Sequence, residues 1–135
     1  MKRAASLVFA LCLLCALAFA GEVSLKNTSK NQAAAMGKVE LDTDRNGNTA
    51  MHIKVEHLAP PSTVAESHTV YVVWVQPKDQ PPENAGVLRV NNDSLEGDLR
   101  TTTPYKKFDV FVTAEDSPRP QAPSGDEILR GTVER

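Results

Sequence analysis

An alternation of polar and apolar residues around an Asn-Gly turn constrains the fold of this chain more than any other feature. Residues 38–42 alternate strictly, as a strand does when only one of its faces is buried. Residues 44–48 contain Asn46-Gly47, the pair favoured in tight hairpin turns. Residues 49–58 alternate again, so we predict a β-hairpin. Its predicted inward side chains are Met51, Ile53 and Val55, and its outward ones are His52, Lys54 and Glu56.

The rest of the chain predicts further strands and no helix. Residues 69–76 are apolar on both faces, as in a central strand covered on two sides, and residues 108–112 are a second candidate of this kind. Shorter strands are predicted over residues 22–26, 86–90, 95–101 and 128–133. The nine prolines fall in loops or at strand ends, whereas inside helices they would be damaging. About seven strands separated by turns predict an all-β fold, an immunoglobulin-like β-sandwich of antiparallel strands.

Residues 1–20 have the three parts of a secretory signal peptide. Lys2 and Arg3 form the positive n-region, residues 7–17 are an uncharged apolar run, and residues 18–20 (Ala-Phe-Ala) fit the small-x-small cleavage pattern. The apolar run is shorter than the ~20 residues that a membrane-spanning helix needs. We therefore expect cleavage after residue 20, export to the periplasm or the extracellular medium, and no stable membrane span afterwards.

Cleavage would also remove both cysteines, Cys12 and Cys15. A lipoprotein acylated at Cys15 is the alternative, but Leu14 stands where a lipobox has a small residue. The mature chain is then stabilised by packing and not by disulfides, although exported proteins can form them. Residues 21–35 predict a short N-terminal edge segment, and residues 36–135 predict one β-sandwich domain of ordinary size.

The charge of the mature chain bears on its partners. Loss of Lys2 and Arg3 would leave 13 basic against 17 acidic residues, a net charge of about −4. These charges are interspersed along the sequence and form no basic block. Such a surface disfavours nucleic acid and anionic lipid, which attract basic patches. We expect a protein or another cell-envelope component as the partner.

Residues 42–48 match the opening of a calcium-binding loop. Asp42, Asp44 and Asn46 supply oxygen atoms at positions one, three and five, and a glycine follows at position six. Ile53 occupies position twelve, where such a loop needs a bidentate glutamate, and strands flank the segment instead of helices. A hairpin explains these residues without a metal, so no calcium site is predicted.

Three histidines are the candidate ligands for zinc or copper. His52 and His57 are five apart on one predicted strand, so their side chains point to opposite faces. His68 lies beyond the break at Pro60-Pro61. We interpret all three as solvent-facing imidazoles and predict no metal or cofactor.

The sequence contains no recognisable catalytic constellation. It has no Gly-x-Ser-x-Gly elbow, and no thiol would survive cleavage. Glu115 and Asp116 are adjacent carboxylates at a strand end, where we expect both to be solvated. Ser124-Gly125 predicts a turn and not a phosphate-binding loop, since no glycine-rich stretch leads into a helix. We predict that the protein is not an enzyme and assign no catalytic or cofactor-binding residue.

Three other residues are candidates for modification or binding. Asn27 and Asn92 begin glycosylation sequons, which matter only in a host that glycosylates. Trp74 is the single tryptophan and stands on the most apolar predicted strand. We expect its ring to fill the space between two sheets, near Phe108, Val110 and Val112, which alternate on the other candidate central strand. A stacking platform for sugar is the alternative.

Four segments in the second half of the chain form an ordered pattern. Residues 71–77 are an aromatic-x-hydrophobic-Trp strand ending in proline, and Ala-Gly-Val-Leu follows at residues 85–88. Next comes a strand over residues 108–115, which ends in Glu115. The last segment, residues 123–131, begins with Pro-Ser-Gly. Over residues 71–131 this order resembles the extracytoplasmic C-terminal domain of anti-sigma-K factors (the RskA family). The resemblance implies a β domain that senses or contacts a protein outside the cytoplasm.

Two departures limit what the resemblance implies. Residues 116–120 stand where the family usually has glycines, and a signal peptide stands where the family has a sigma-binding region and a membrane span. We therefore expect an exported, non-catalytic binding or sensing module of the cell envelope that lacks sigma-factor binding. The alternative is a secreted carbohydrate- or metal-binding β-sandwich domain using the 42–48 hairpin, the histidines or Tyr105.

Overall fold

Nine antiparallel β-strands make up the domain in the computed structural model, which describes residues 20–135. The strands are β1 (Ala20–Asn27), β2 (Met36–Thr43), β3 (Thr49–Glu56), β4 (Val70–Pro77), β5 (Glu83–Val87), β6 (Arg89–Asn91), β7 (Glu96–Thr103), β8 (Lys107–Glu115) and β9 (Glu127–Glu134). The predicted all-β class is confirmed, with nine strands in place of about seven. The predicted signal peptide lies outside the described residues except for Ala20, which begins β1. Within residues 20–135 no helix has the length and apolar character to cross a membrane.

The nine strands form one hydrogen-bonded sheet that is nearly closed. Its order is β5-β4-β8-β9-β1-β2-β3-β7-β6. Residues 20–25 of β1 pair with β2, and Lys26 and Asn27 pair with β9. The two ends of the order, β5 and β6, are consecutive in the chain and separated only by Leu88. Residues 83–91 therefore pair with β4 through β5 and with β7 through β6. β1 connects the two parts of the sheet in the same way, through its pairing with β2 and with β9.

This arrangement places two strands where the sequence did not suggest them. β1 is not an edge strand: it lies between β2 and β9, so residues 21–35 belong to the domain that was expected to start at residue 36. The single strand predicted over residues 86–90 is divided at Leu88 between β5 and β6. Both differences have one cause, since each stretch of chain crosses from one half of the sheet to the other. We call β1, β2, β3, β7 and β6 the first half, and β5, β4, β8 and β9 the second half.

The predicted hairpin of β2 and β3 forms, with Thr43 paired to Thr49 beside the turn. Asn48 and Asp44 close it through a hydrogen bond of 3.0 Å from the Asp44 amide to the Asn48 carbonyl oxygen. Gly47 has φ +80°, a left-handed conformation that glycine adopts without steric cost. Inward and outward residues alternate along β3 as predicted, with Met51, Ile53 and Val55 buried.

The main core lies between the inner faces of the two halves. Burying a valine or leucine side chain contributes about 1.5–3 kcal/mol, so this cluster is the largest source of stability. Its central members are Val39, Leu41, Met51, Ile53 and Val55 from the first half and Tyr71, Val73, Val75, Phe108, Val110, Val112 and Leu129 from the second.

The outer face of β4 and β8 carries a second apolar cluster, formed by Val72, Trp74 and Phe111, which we call the aromatic face. Trp74 is fully buried, but its ring does not fill the space between the halves. Side chains alternate along a strand, and Val73 and Val75 take the inward positions of β4. The prediction that Trp74 packs between the sheets beside Phe108, Val110 and Val112 is therefore wrong, because these three residues belong to the main core.

Candidate functional site: two outer faces and a strap

The outer face of the first half presents charged side chains from three neighbouring strands. We call it the polar face and define it by Glu40, His52, Lys54, Asp98 and Arg100. Pairing of β2, β3 and β7 sets Glu40 opposite His52, His52 opposite Arg100, and Lys54 opposite Asp98. Alternation along each strand turns these side chains outward, because their neighbours in sequence fill the main core.

Ion pairs connect the residues of the polar face. Lys54 Nζ lies 2.8 Å from Glu40 Oε1, and the Lys54 hydrogen bond is the main reason that the pKa of Glu40 is below its ordinary value. His52 stands between two carboxylates, with Nε2 3.1 Å from Asp98 Oδ2 and Nδ1 3.6 Å from Glu40 Oε1. The result is a surface on which acidic and basic side chains alternate. Such a surface can recognise a partner of complementary charge.

A shallow groove borders the polar face on the side of β6 and β7. His52, Lys54 and Asp98 line one side of it, and Arg89 and Asn91 line the other. Both signs of charge occur along the groove, so it does not favour a simple anion or a simple cation. It extends the polar face toward the turn between β6 and β7.

On the aromatic face of the second half, two rings stack outside the main core. The centroids of Trp74 and Phe111 are 6.4 Å apart with 18° between the ring planes. The guanidinium carbon of Arg130 lies 4.2 Å from the Phe111 centroid, within the range of a cation–π contact. The Trp74 indole Nε1 donates a hydrogen bond of 2.8 Å to the Thr113 hydroxyl.

Residues 116–126, which we call the strap, connect β8 to β9 and are fixed by the buried carboxylate of Glu115. The Thr113 hydroxyl donates to Glu115 Oε2 at 2.5 Å, and the Ser124 hydroxyl donates to Oε1 at 2.7 Å. The backbone amides of Ser124 and Gly125 donate to Oε2 at 3.2 Å each. Burial raises the pKa of Glu115, but these hydrogen bonds outweigh it, so the pKa lies below its ordinary value.

Two of the sequence interpretations change at this carboxylate. Glu115 was expected to be solvated, and it is only 1% exposed. Ser124 and Gly125 lie beside and at a bend, respectively, and not in the predicted turn. Their amides do bind an anion, which is the chain's own Glu115 carboxylate. The glycine is required by space, since a Cβ on Gly125 would lie 1.6 Å from the Ala114 carbonyl oxygen.

The strap is fixed at two further places, on either side of Trp74. Asp116 Oδ1 lies 2.6 Å from His68 Nδ1, and this contact is the first cause of the lowered pKa of Asp116. On the β5 side, Asn84 Nδ2 donates to the carbonyl oxygens of Pro118 and Pro120 at 3.3 and 3.4 Å. Trp74 pairs with Asn84 across β4 and β5, so the strap reaches the strand beyond the ring. We infer that the strap covers Trp74.

The calcium-like segment 42–48 is organised by its own hydrogen bonds. Asp44 Oδ1 accepts the amides of Asn46 and Asn48 at 2.8 and 2.9 Å. The Asn48 hydrogen bond, together with that from Asn46, holds the pKa of Asp44 below its ordinary value. Arg135 donates from Nη2 to the Gly47 carbonyl oxygen at 2.8 Å and so caps the turn. These contacts give each of the conspicuous residues a structural role in the hairpin.

The histidines do not converge. His52 lies on the polar face, His57 follows β3, and His68 contacts the strap. The side chains of His52 and His68 are only 14% and 13% exposed, so the expectation of three solvent-facing imidazoles is wrong for two of them. Within residues 20–135 no group of three or more metal-binding side chains is close enough to hold an ion.

Tyr105 and the two sequons occupy different environments. Tyr105 packs partly against the main core, and a hydrogen bond to Glu83 raises its pKa. The Asn27 amide donates to the carbonyl oxygens of Gln32 and Ala35 at 2.8 and 2.9 Å, whereas Asn92 is exposed. A glycan on Asn27 would disrupt two turn contacts, and one on Asn92 would not.

No family model, curated protein or solved structure matches this chain. The two outer faces and the strap are therefore the features that bear on function. Sequence reasoning missed the strap, although one signal was present. Phe111 is a large aromatic residue at an outward position of β8, out of phase with Val110 and Val112, and this indicates an outer face that something must cover.

Proposed function

We propose that the protein is an exported, non-catalytic binding module of the cell envelope, and that its polar face is the contact surface. The observation that supports this most directly is the set of outward charges on β2, β3 and β7. Their side chains remain substantially exposed, with Glu40 and Lys54 each at 41% and Asp98 at 50%. The aromatic face, in contrast, is buried and offers no comparable surface.

A non-catalytic role is supported by the tasks that the reactive residue types already perform. Glu115 and Ser124 fix the end of the strap through a hydrogen bond of 2.7 Å. Asp116 and His68 fix its beginning. Asp44 organises the β2–β3 turn. Each of these side chains has polar atoms that are hydrogen-bonded within the chain.

The resemblance to the outer domain of anti-sigma-K factors supports the architecture in this proposal. Its four segments lie on β4, β5 to Leu88, β8 and the end of the strap with β9. These parts supply the second half of the sheet, and with the main core between the halves they favour an immunoglobulin-like sandwich. The residues of the polar face lie outside those segments. The partner of the polar face is therefore specific to this chain, and it is not a sigma factor.

A protein partner fits the polar face better than a polyanion or a simple ligand. Acidic and basic side chains alternate across it, and complementary arrangements of this kind give specificity and faster association. Arg89 and Arg100 stand at the β7 side of the face and are exposed. They are the most accessible positive charges of this surface.

Affinity capture with matched charge reversals tests the proposal. The exported form is used to recover partners from envelope extract, with identification by mass spectrometry. Arg89→Glu with Arg100→Glu should abolish capture of the specific partner. Lys106→Glu with Lys107→Glu changes the net charge equally at exposed positions beside β8 and should leave capture intact. Equal capture by all three proteins would contradict a role for the polar face.

Export is tested separately by N-terminal sequencing of the secreted protein. The tripartite signal predicts that the mature chain begins at Gly21. Recovery of a membrane-bound, acylated form that begins at Cys15 would contradict the prediction. A mature form that still contains Lys2 and Arg3 would also contradict it.

A further inference from the structure

The strap is held to the domain differently from the core strands. Every one of its residues, 116–126, is exposed or only partly buried. Its attachments are hydrogen bonds of Glu115, Asp116 and Asn84 instead of apolar packing into the main core. Segments with few buried apolar contacts open locally at a lower free-energy cost than core strands. The strap therefore has the physical character of a part that moves by itself.

The base of the strap is closed by backbone contacts that do not depend on its middle. The Ala114 amide donates to the Asp126 carbonyl oxygen at 3.1 Å, and the Thr69 amide donates to the Glu115 carbonyl oxygen at 2.9 Å. Both ends of the strap thus start from the same point of β8. Such a compact loop can lift while its base stays in place.

One hydrogen-bonded path connects the strap to the ring that it covers. The Trp74 indole donates to the Thr113 hydroxyl, and this hydroxyl donates to Glu115 Oε2. The same carboxylate accepts the Ser124 and Gly125 amides of the strap. Loss of this acceptor would remove hydrogen bonds from the strap to an ionised carboxylate, which are stronger than those between neutral groups.

We propose that the strap is a hinged cover over Trp74 and Phe111, latched by the Glu115 carboxylate, that opens while the nine-stranded sheet remains folded. The closed state keeps an apolar outer face away from solvent. The open state presents Val72, Trp74 and Phe111 as one apolar patch on β4 and β8. Arg130 remains beside this patch because Asp109 and Glu127 hold it at 2.9 and 2.6 Å.

Tryptophan fluorescence reports the position of the strap directly, since Trp74 is the only tryptophan in the chain. Glu115→Gln keeps the size of the side chain but replaces an acceptor oxygen with a donor. It should raise the open population on the order of tenfold, because it removes the negative charge that strengthens the hydrogen bonds from Ser124 and Gly125. Acrylamide quenching and binding of an apolar dye should both increase, while far-UV circular dichroism stays native. Glu40→Gln on the polar face is the matched control and should leave quenching unchanged.

Gly125→Ala displaces the strap by an independent route, because its Cβ would overlap the Ala114 carbonyl oxygen. This variant should reproduce the increased quenching. The proposal is overturned if Trp74 stays protected in both variants, since the strap would then not be its cover. It is equally overturned if quenching rises only at the temperature where circular dichroism is lost, since the strap would then open only with the whole domain.

Discussion

The two outer faces of this sheet carry outward side chains of opposite polarity, and they differ in their contact with solvent. The polar face carries charged residues at its outward positions, with Lys54 and Glu40 paired at 2.8 Å, and it is left in contact with solvent. The aromatic face carries Trp74 and Phe111 at outward positions, where both side chains are buried. The strap reaches Asn84 on the strand beyond the ring, and from this we infer that it covers the face. An antiparallel sheet face can contact water when its outward residues are polar and needs a cover when they are apolar. The polarity of the outward residues thus determines which face of the sheet needs a cover.

Removal of the tryptophan ring is the strongest test of this comparison. Trp74→Ala removes the largest fully buried side chain and should cost ~3–5 kcal/mol of unfolding free energy. A domain has only ~5–15 kcal/mol in total, so the melting temperature should fall far. His52→Ala, at the centre of the polar face, should cost about 1 kcal/mol or less. Denaturant unfolding measures both, and equal losses would remove the energetic difference between the faces.

Acid should loosen the covered face through its carboxylates. The pKa of Glu115 in the folded state lies below the ordinary value of 4.5, and that of Asp116 is also lowered. Their ionised forms therefore stabilise the fold above pH 4.5, and this contribution is lost as the pH falls below it. Thermal melts of the wild type and of Glu115→Gln between neutral and acid pH measure the effect. The Gln variant should lose less stability on acidification, and an unchanged pH profile would contradict the role of Glu115.

Salt should weaken the ion pairs of the polar face and leave the hydrogen bonds of the buried Glu115 carboxylate largely unaffected. The ion pairs of the polar face are exposed, and they are screened at about 1 M salt, where the Debye length is near 3 Å. Glu40→Gln should therefore lower the melting temperature slightly at low salt and leave it unchanged at high salt. The Glu115→Gln effect should persist, because its hydrogen bonds are buried. A salt-independent effect of Glu40→Gln would show that the polar face is not held by its charges.

Calcium should have the smallest effect of all. Asp44 already accepts two amides of its own turn, and Ile53 stands where a calcium loop needs its last ligand. The melting temperature should be the same with calcium and with chelator. A rise of several degrees with calcium would show binding to the folded state. The 42–48 turn would then be a second functional site, at the end of the β2–β3 hairpin in the first half of the sheet.

Local patterns predicted the parts of the fold that depend on neighbours in the chain. The β2–β3 hairpin follows from alternation and from Asn46-Gly47, and its inward residues are the predicted ones. The outward charges of β3 follow from the same alternation, so one strand of the polar face was visible in the sequence. Its partner β7 was predicted as a strand over residues 95–101, but nothing local indicates that it pairs with β3.

The remaining features depend on contacts between distant segments. Residues 69–76 are apolar on both faces, so the sequence cannot tell which face of β4 meets the main core; Trp74 was assigned to the wrong one. Glu115 is buried because Ser124 and Gly125 return to it across a loop, and no periodicity reports such a return. β1 likewise reads as a polar edge segment until β9 is placed beside it.

The near-closure of the sheet has a kinetic consequence. Lys26 pairs with Arg130, so the first described strand meets its second partner only when the last one is in place. Chains rich in such distant pairings have high contact order and fold slowly, within milliseconds to seconds for domains of this class. Until that final pairing forms, β9 and the end of β1 are unprotected strand edges, the features through which folding intermediates aggregate. Pairing of β1 with β9 is thus the step that converts an aggregation-prone intermediate into a domain with almost no unpaired strand edge.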